Sequence, residues 1–514
     1  MRKRLLSMTL VFTMAVSMLA GCGKASSSDS KATPTGTSVE ATEDASATAK
    51  LDTSEEVNLV MYVVGDRPAG QDEVDENFNK IIKDKLNCTL TVNWIPWSDF
   101  RNKYPLLFSS GEEFDLAYSA TWLNFSSLAQ QGAFMSLDEL WPTYAPKNFA
   151  RQSESALKQA TVNGHYYTVP TLLATYSAYG PVYRTDIMGN TDWDGKMETF
   201  QDVEEYCDIV KATHQEMQPL DIYSSGSEWD DTYMYSLGYR SSKGSTNDFL
   251  FFDPSQKNPK LFTYYECAQT GDFLEIMNRW NQKGFFSKSA LSDTDSTQLQ
   301  NGKAAMKTHN LDKLADYSRT NPDYKMEYSN FVKNVSHLPY TQDCMVISNT
   351  SKNPERAMAL WDLLTSDRDV YDAFFYGVLG TTYTLNDKGE YSITDTDLYS
   401  PSGMGAVRTT EFNRNAVGTP ESYDTWKQTF EDNIASNDTA EKYAGFVLDT
   451  SNIATEYAAC QSVHQQYWWP LELGYSDAKT GLAEYQKQME AAGIEKVRVE
   501  VQKQLDAYVA GLNK

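Results

Sequence analysis

The chain has 514 residues, with 45 Lys and Arg against 70 Asp and Glu, a formal charge of −25 and 13% aromatic residues. That acidity excludes nucleic acid or an anionic membrane surface as a broad-face partner. The length suffices for two ordinary domains, and six cysteines in so long a chain exclude a small disulfide scaffold.

The chain opens with Arg2-Lys3-Arg4 and an apolar segment from Leu5 to Ala20, too short to span a membrane, so 1–21 reads as a secretory signal. Leu19-Ala20-Gly21-Cys22 resembles the bacterial lipobox, and the resemblance implies lipid attachment at Cys22. Several acyl chains on one cysteine give a stable membrane anchor. The rest of 22–56 is polar, with Val39 and Leu51 as its only large apolar residues, and reads as a disordered tether. Cys88, Cys207, Cys267, Cys344 and Cys460 are widely spaced with no paired motif, which predicts mostly buried, unpaired thiols.

Val57 to Val64 is a nearly continuous apolar run of strand length, ended by the loop Gly65-Asp66-Arg67-Pro68. Val74, Phe78, Ile81, Ile82 and Leu86 fall on one helical face, and Cys88, Leu90, Val92 and Trp94 then alternate with polar residues as a strand. A helix through Phe100, Tyr104 and Leu107, a strand at Phe114 to Tyr118 and a helix over Trp122 to Gln131 follow. This alternation predicts an α/β fold with a parallel, doubly wound sheet. The loops after such strands line a ligand crevice, which makes Asp66, Arg67, Trp97 and Trp122 candidate contacts.

Thr161 to Pro170 reads as a hairpin about Asn163-Gly164, with Pro170 ending the pairing. Asn190-Thr191-Asp192-Trp193-Asp194-Gly195 has the oxygen donors of half a calcium loop, but Gln201 stands where the bidentate Glu belongs, so an ordinary turn is expected. Thr199 and Asp202 mark a capped helix, and Phe273, Ile276, Met277 and Trp280 another. In the tail, Leu482, Tyr485 and Met489 form one face, Gly493 interrupts, and Ile494, Val497, Val501, Leu505 and Tyr508 form a second, read as core packing. The five histidines have no metal-ligand spacing, and no H-E-x-x-H, G-x-S-x-G or phosphate loop occurs; no metal or cofactor is expected.

Several segments together resemble the extracellular solute-binding proteins of family 1, lipoproteins that deliver sugars to ABC importers. They include Gly111-Glu112-Glu113-Phe114-Asp115-Leu116, Gly132 to Leu140, Gly164 to Pro170, Tyr183-Arg184-Thr185-Asp186 and Gly302-Lys303-Ala304-Ala305-Met306. Asn353-Pro354-Glu355-Arg356-Ala357-Met358 and Gly377 to Tyr383 are similar to the branch for oligosaccharide or aldouronate uptake. The resemblance implies two α/β lobes joined by hinge crossings, here expected after Pro170, near Met306 and near Thr365. One lobe would then hold 57–172 with 305–365, and the other 173–304 with 366–514. It further implies a monomeric capture protein on the outer face of the membrane, with an ABC permease as partner and no catalysis.

Sugar recognition needs rings to stack on pyranose C–H faces and planar polar groups to pair with hydroxyls. To the four loop residues above, this adds Tyr176, Tyr223, Trp229 and Tyr383 as rings in favourable loops, and His309, with Asn310, near the second crossing. Asn413 follows from family position alone. Arg184 would suit a uronate carboxylate, although an ion pair with Asp186 is the simpler role. A secreted glycan hydrolase or lyase and a peptide-binding or sensor lipoprotein are the alternatives to sugar uptake, since abundant Asp and Glu leave room for a catalytic carboxylate pair.

Overall fold

Two hydrophobic cores, each built on its own sheet, divide the chain. The computed structural model describes residues 51–512, apart from 97–98, 225, 245, 294, 296, 322, 396–397, 400–404, 438 and 440. Cys22 and Trp97 thus lie outside the described residues.

In the first core, β1 (Val57–Val64) and β2 (Cys88–Ile95) pair in parallel along their whole length, and β3 (Leu116–Ser119) pairs in parallel with the other side of β1. Helix Gln71–Leu86 joins the first two strands and buries Val74, Phe78, Ile82 and Leu86, one residue per turn, against the sheet. It stops where Asn87 turns left-handed. The hairpin of β4 (Thr161–Val162) and β5 (His165–Tyr166) turns on Asn163 and Gly164, at φ 51 and 87, as a two-residue type I′ turn requires. Pro170 does not end the pairing as expected. It belongs to β6 (Val169–Pro170) on the outer edge of the sheet, where its missing N–H removes no ladder bond.

The second core surrounds β7 (Tyr179–Arg184), buried along its whole length, and β8 (Gln218–Leu220). The short ribbon of β9 (Arg240–Ser241) and β10 (Phe251–Phe252) lies outside that sheet. β11 (Ala304–Asn310) and β12 (Met326–Tyr328) complete it in the order β12-β7-β11-β8. β13 (Cys344–Ile347) returns to the first sheet, antiparallel to β3 and β6, in the order β2-β1-β3-β13-β6. Both sheets are therefore mixed, and the expected parallel winding holds for β2, β1 and β3.

Helix Phe200–Thr213 carries the expected box, Thr199 Oγ1 accepting from the Asp202 N–H and the Asp202 carboxylate accepting from the Thr199 N–H. Tyr485, Met489, Ile494, Val497, Val501 and Leu505 of the tail are buried in the second core, and Gly493 at φ 95 separates the two helices. Cys88, Cys207, Cys344 and Cys460 are buried free thiols, and Cys267 is a half-buried one.

Among the described residues the chain passes between cores three times, between Val169 and Tyr176, between Val335 and Met345, and between Ala416 and Tyr423. The sequence expects the first crossing after Pro170. The second and third lie downstream of Met306 and Thr365. Met306 sits on β11 opposite Tyr183, so residues 305–335 stay with the second core. Past Thr365, helix Arg368–Phe375 and residues through Ala416 pack on the first. Residues 51–56 are also not tether: Leu51 packs against the first core, and Arg356 donates to the carbonyls of Asp52 and Glu55.

Candidate binding cleft

A cavity of about 380 Å³ opens between the cores. Trp122, Asn124, Ser126 and Ser127 line it from the first, and Tyr179, Glu228, Asn247 and His309 from the second. Thr341 and Gln342 of the second crossing form the back, and Phe446, Leu448 and Tyr457 from the tail close one side.

Trp122 follows β3 in a single turn, Thr121–Leu123, that ends at Asn124 with φ 59. Its indole is 40% exposed, is held edge-on to Phe100, and donates Nε1–H to the Gln342 carbonyl at 3.0 Å. That bond fixes a ring from the first core against the crossing, the preorganisation a stacking platform needs.

Across the cavity, Glu228 caps helix Trp229–Ser236 at φ 60. The helix is anchored from behind, where buried Asp230 accepts from Trp468 Nε1 at 2.7 Å and from the Tyr264 hydroxyl at 3.0 Å. Burial, together with the neighbouring Asp230 charge and against Lys307 and Lys313, pushes the Glu228 carboxyl up to about 7. His309, at the end of β11, stands beside the Tyr179 ring. Burial and the charges of Lys313 and Lys307 push its pKa down to about 3, so the ring is neutral.

Of the residues singled out in the sequence, Trp122 and His309 meet across this cavity, with Asn310 beside them. Asp66 and Arg67 are exposed, and Arg67 pairs with Asp72 at 2.5 Å, so their loop is a solvated turn away from the lining. Tyr176 is buried in the hinge, donating to Glu431 at 2.7 Å. Arg184 is also buried, bonded through two nitrogens to Asp186 at 2.5 and 3.2 Å and stacked 3.5 Å from the Tyr324 ring centre, a structural pair. Tyr223 lies under the Lys307 ammonium at 4.1 Å, outside the lining. Trp229 is core, edge-on to Trp280, and it is Glu228 just before it that faces the cavity. Tyr383 packs on Tyr376 in the first core, and Asn413 lies in a turn closed on Thr409. Sequence reasoning missed Glu228, Lys243 and Asn247; only the Ser/Gly/Asp-rich loop before Trp229 pointed to that wall. The 190–195 segment is a turn, with Thr191 bonded to the Met188 carbonyl and Trp193 packed on Tyr206. Among the described residues no three His, Cys, Asp or Glu side chains are grouped to hold a metal.

The profile described as bacterial extracellular solute-binding protein matches residues 69–371, more than half of the chain. The chain belongs to that family. A second profile, a domain of unknown function (DUF3502), covers residues 442–510, the segment that supplies Trp468 and one wall of the cleft. A solute-binding relative, the carbohydrate ABC transporter substrate-binding protein of Streptococcus pneumoniae serotype 4, is 24% identical over 89% of this chain and 92% of its own. The N-glycan transport solute binding protein (NgtS) of Streptococcus pneumoniae, solved in complex with Man1GlcNAc, superposes with a TM-score of 0.72 at 21% identity, covering 88% of this chain and 100% of that one. The alginate-binding protein AlgQ2 gives 0.62 at 17% identity, over 88% and 98%. These likenesses establish the two-lobed solute-binding fold.

Proposed function

We propose that this solute-binding protein is a monomeric, lipid-anchored capture protein on the outer face of the cell membrane, which encloses an oligosaccharide between its lobes and passes it to an ABC permease. The observation that carries the sugar reading is the composition of the two walls. One offers the exposed indole of Trp122, and the other offers Glu228, His309, Asn310 and Asn247. An apolar face opposed to planar polar groups suits a pyranose, which has C–H faces and hydroxyl edges. The printed names of the relatives, a carbohydrate transporter component and an N-glycan binder, support the same class.

Binding is the whole function, with no bond broken. Because the walls come from different cores, a ligand that touches both gains contacts only when the cleft is closed, and it shifts the population toward closure. The lipobox-like segment at Cys22 supports the anchor. A panel of neutral and acidic oligosaccharides, with peptides as controls, tests the reading by thermal shift, since any ligand of the folded state raises the melting temperature by mass action. Response to peptides alone would discard sugars while leaving the two-lobed fold.

A further inference from the structure

Glu228 is the residue of the cleft least explained by folding. Its φ of 60 lies in the left-handed region, a strained conformation for a side chain of this kind. Its Oε2 is buried with no hydrogen-bond partner. The nearest ring nitrogen, His309 Nε2, stands 4.0 Å away, beyond hydrogen-bond distance. His309 Nδ1 lies 2.8 Å from the Asn310 N–H and 3.0 Å from Asn310 Oδ1, and the neutral tautomer that accepts the backbone N–H carries its proton on Nε2. In that tautomer the gap is flanked by one donor and one acceptor, on two residues that both line the cavity.

A hydroxyl donates and accepts at once and satisfies both sides. A carboxylate only accepts, and beside Glu228 it would place two negative charges together. Of the neighbouring cations, Lys307 lies over Tyr223 and Lys313 pairs with Asp316 at 2.9 Å, while Lys243, in the lining, donates to the Asn247 carbonyl at 2.8 Å and is balanced by the charges of Asp248 and Asp231. Arg67 and Arg184 are held by Asp72 and Asp186 outside the cavity.

Building on the oligosaccharide reading, we infer that the Glu228–His309 pair recognises the C6 hydroxyl of a neutral sugar ring and makes the cleft select neutral over uronic-acid oligosaccharides. The left-handed backbone at Glu228 is what aims the carboxylate at that hydroxyl while Trp229, the next residue, enters the core.

The test is calorimetry on the full-length protein in detergent with sugars matched except at C6: mannotriose against trimannuronate, cellotriose against triglucuronate, and galactotriose against trigalacturonate. We expect the neutral member of at least one pair to bind about tenfold or more tighter than its acidic partner, and Glu228→Gln to lose about tenfold on that sugar as a charge-assisted bond becomes a neutral one. Glu228→Gly should lose binding without lowering the melting temperature, because glycine relieves the left-handed backbone; a purely structural glutamate would lower it. Tighter binding of the acidic members, or unchanged affinity in both variants, would overturn the inference and leave the oligosaccharide reading intact. Silence across every sugar, neutral and acidic, would overturn that reading and the inference with it.

Discussion

Arg408, on the first core, holds Asp343 at 2.8 Å and reaches Asp312, on the second, at 3.6 Å. The Tyr118 hydroxyl donates to the same Asp343 at 2.5 Å, so a guanidinium and a phenol from the first lobe converge on a carboxylate of the second crossing. Arg408→Met should cost about 2 kcal/mol, because two largely buried carboxylates lose their cation. Asp312→Asn removes only the longer arm and should cost less than half as much. Urea midpoints of both variants check this, and equal losses would deny the arm at 2.8 Å its larger share.

Trp122→Ala should weaken oligosaccharide binding by about 1 to 2 kcal/mol while barely moving the melting temperature, because the indole is part-exposed and its loss leaves no sealed cavity. Calorimetry and thermal melting on the same samples decide. A large fall in melting temperature would make Trp122 a packing residue.

Sugar affinity should rise with pH through about 7. Glu228 is pushed up to about 7 in the free protein, and a hydroxyl donating to its carboxylate lowers that value in the complex, so binding releases a proton over the interval between the two. Lys307 and His309 of β11, Lys313 of the next helix, and Asp230 and Asp231 of its own helix face this group, with Tyr179 and Tyr317 beside it. Of these, His309 stays neutral throughout. Titrations between pH 5.5 and 8.5, about the ordinary histidine range, should show the slope in the wild type and none in Glu228→Gln. A slope retained in the variant would assign the proton elsewhere.

His337, on the second crossing, has Nε2 at 3.2 Å from Glu431 and Nδ1 at 3.2 Å from Glu441, and Tyr176 of the first crossing shares Glu431. Burial works against the charged ring, but the two carboxylates outweigh it and raise its pKa. The folded value therefore exceeds the unfolded one. The stabilisation is complete below the unfolded value of about 6.5 and disappears as pH rises through the folded value. His337→Gln should be less stable than wild type at pH 6, with the gap closing at alkaline pH; a gap independent of pH would mean a neutral ring.

The β2-β1-β3 part of the first sheet was legible because its elements carry simple patterns. Val57 to Val64 is a nearly continuous apolar run, Cys88 to Trp94 alternates, and Val74, Phe78 and Ile82 show a helical period. β13 and β6, short and brought in from far along the chain, left no such mark. The later crossings were not, because a hinge changes partners without changing periodicity. Ala304–Asn310 reads as a buried strand whichever sheet receives it, and only its pairing with Tyr183 decides. In the cleft, Trp122 was singled out from its place after a strand, whereas His309 was singled out for a crossing that lies elsewhere and reaches the lining from the end of β11. Glu228 was hidden by a backbone turn: a left-handed residue at the head of a helix sends one side chain to the cleft and the next to the core, and the aromatic neighbour drew attention to the wrong one. The pairing of Arg184 with Asp186 was legible from their two-residue spacing, whereas that of Arg67 with Asp72, across the start of a helix, was not.

The position of β13 sets the order in which the molecule can be assembled. Within the first sheet β6 pairs with β13, and β13 is also the partner of β3, yet the whole of β7 to β12 is synthesised between β6 and β13. Until Cys344–Ile347 emerges, β3 keeps an open edge and β6 lacks its sheet partner. Long-range pairing of this kind is slow to form, so the amino-terminal half stays pliable while the rest is made. A newly made chain would then stay threadable through a narrow channel until that strand arrives, about two thirds of the way along its synthesis.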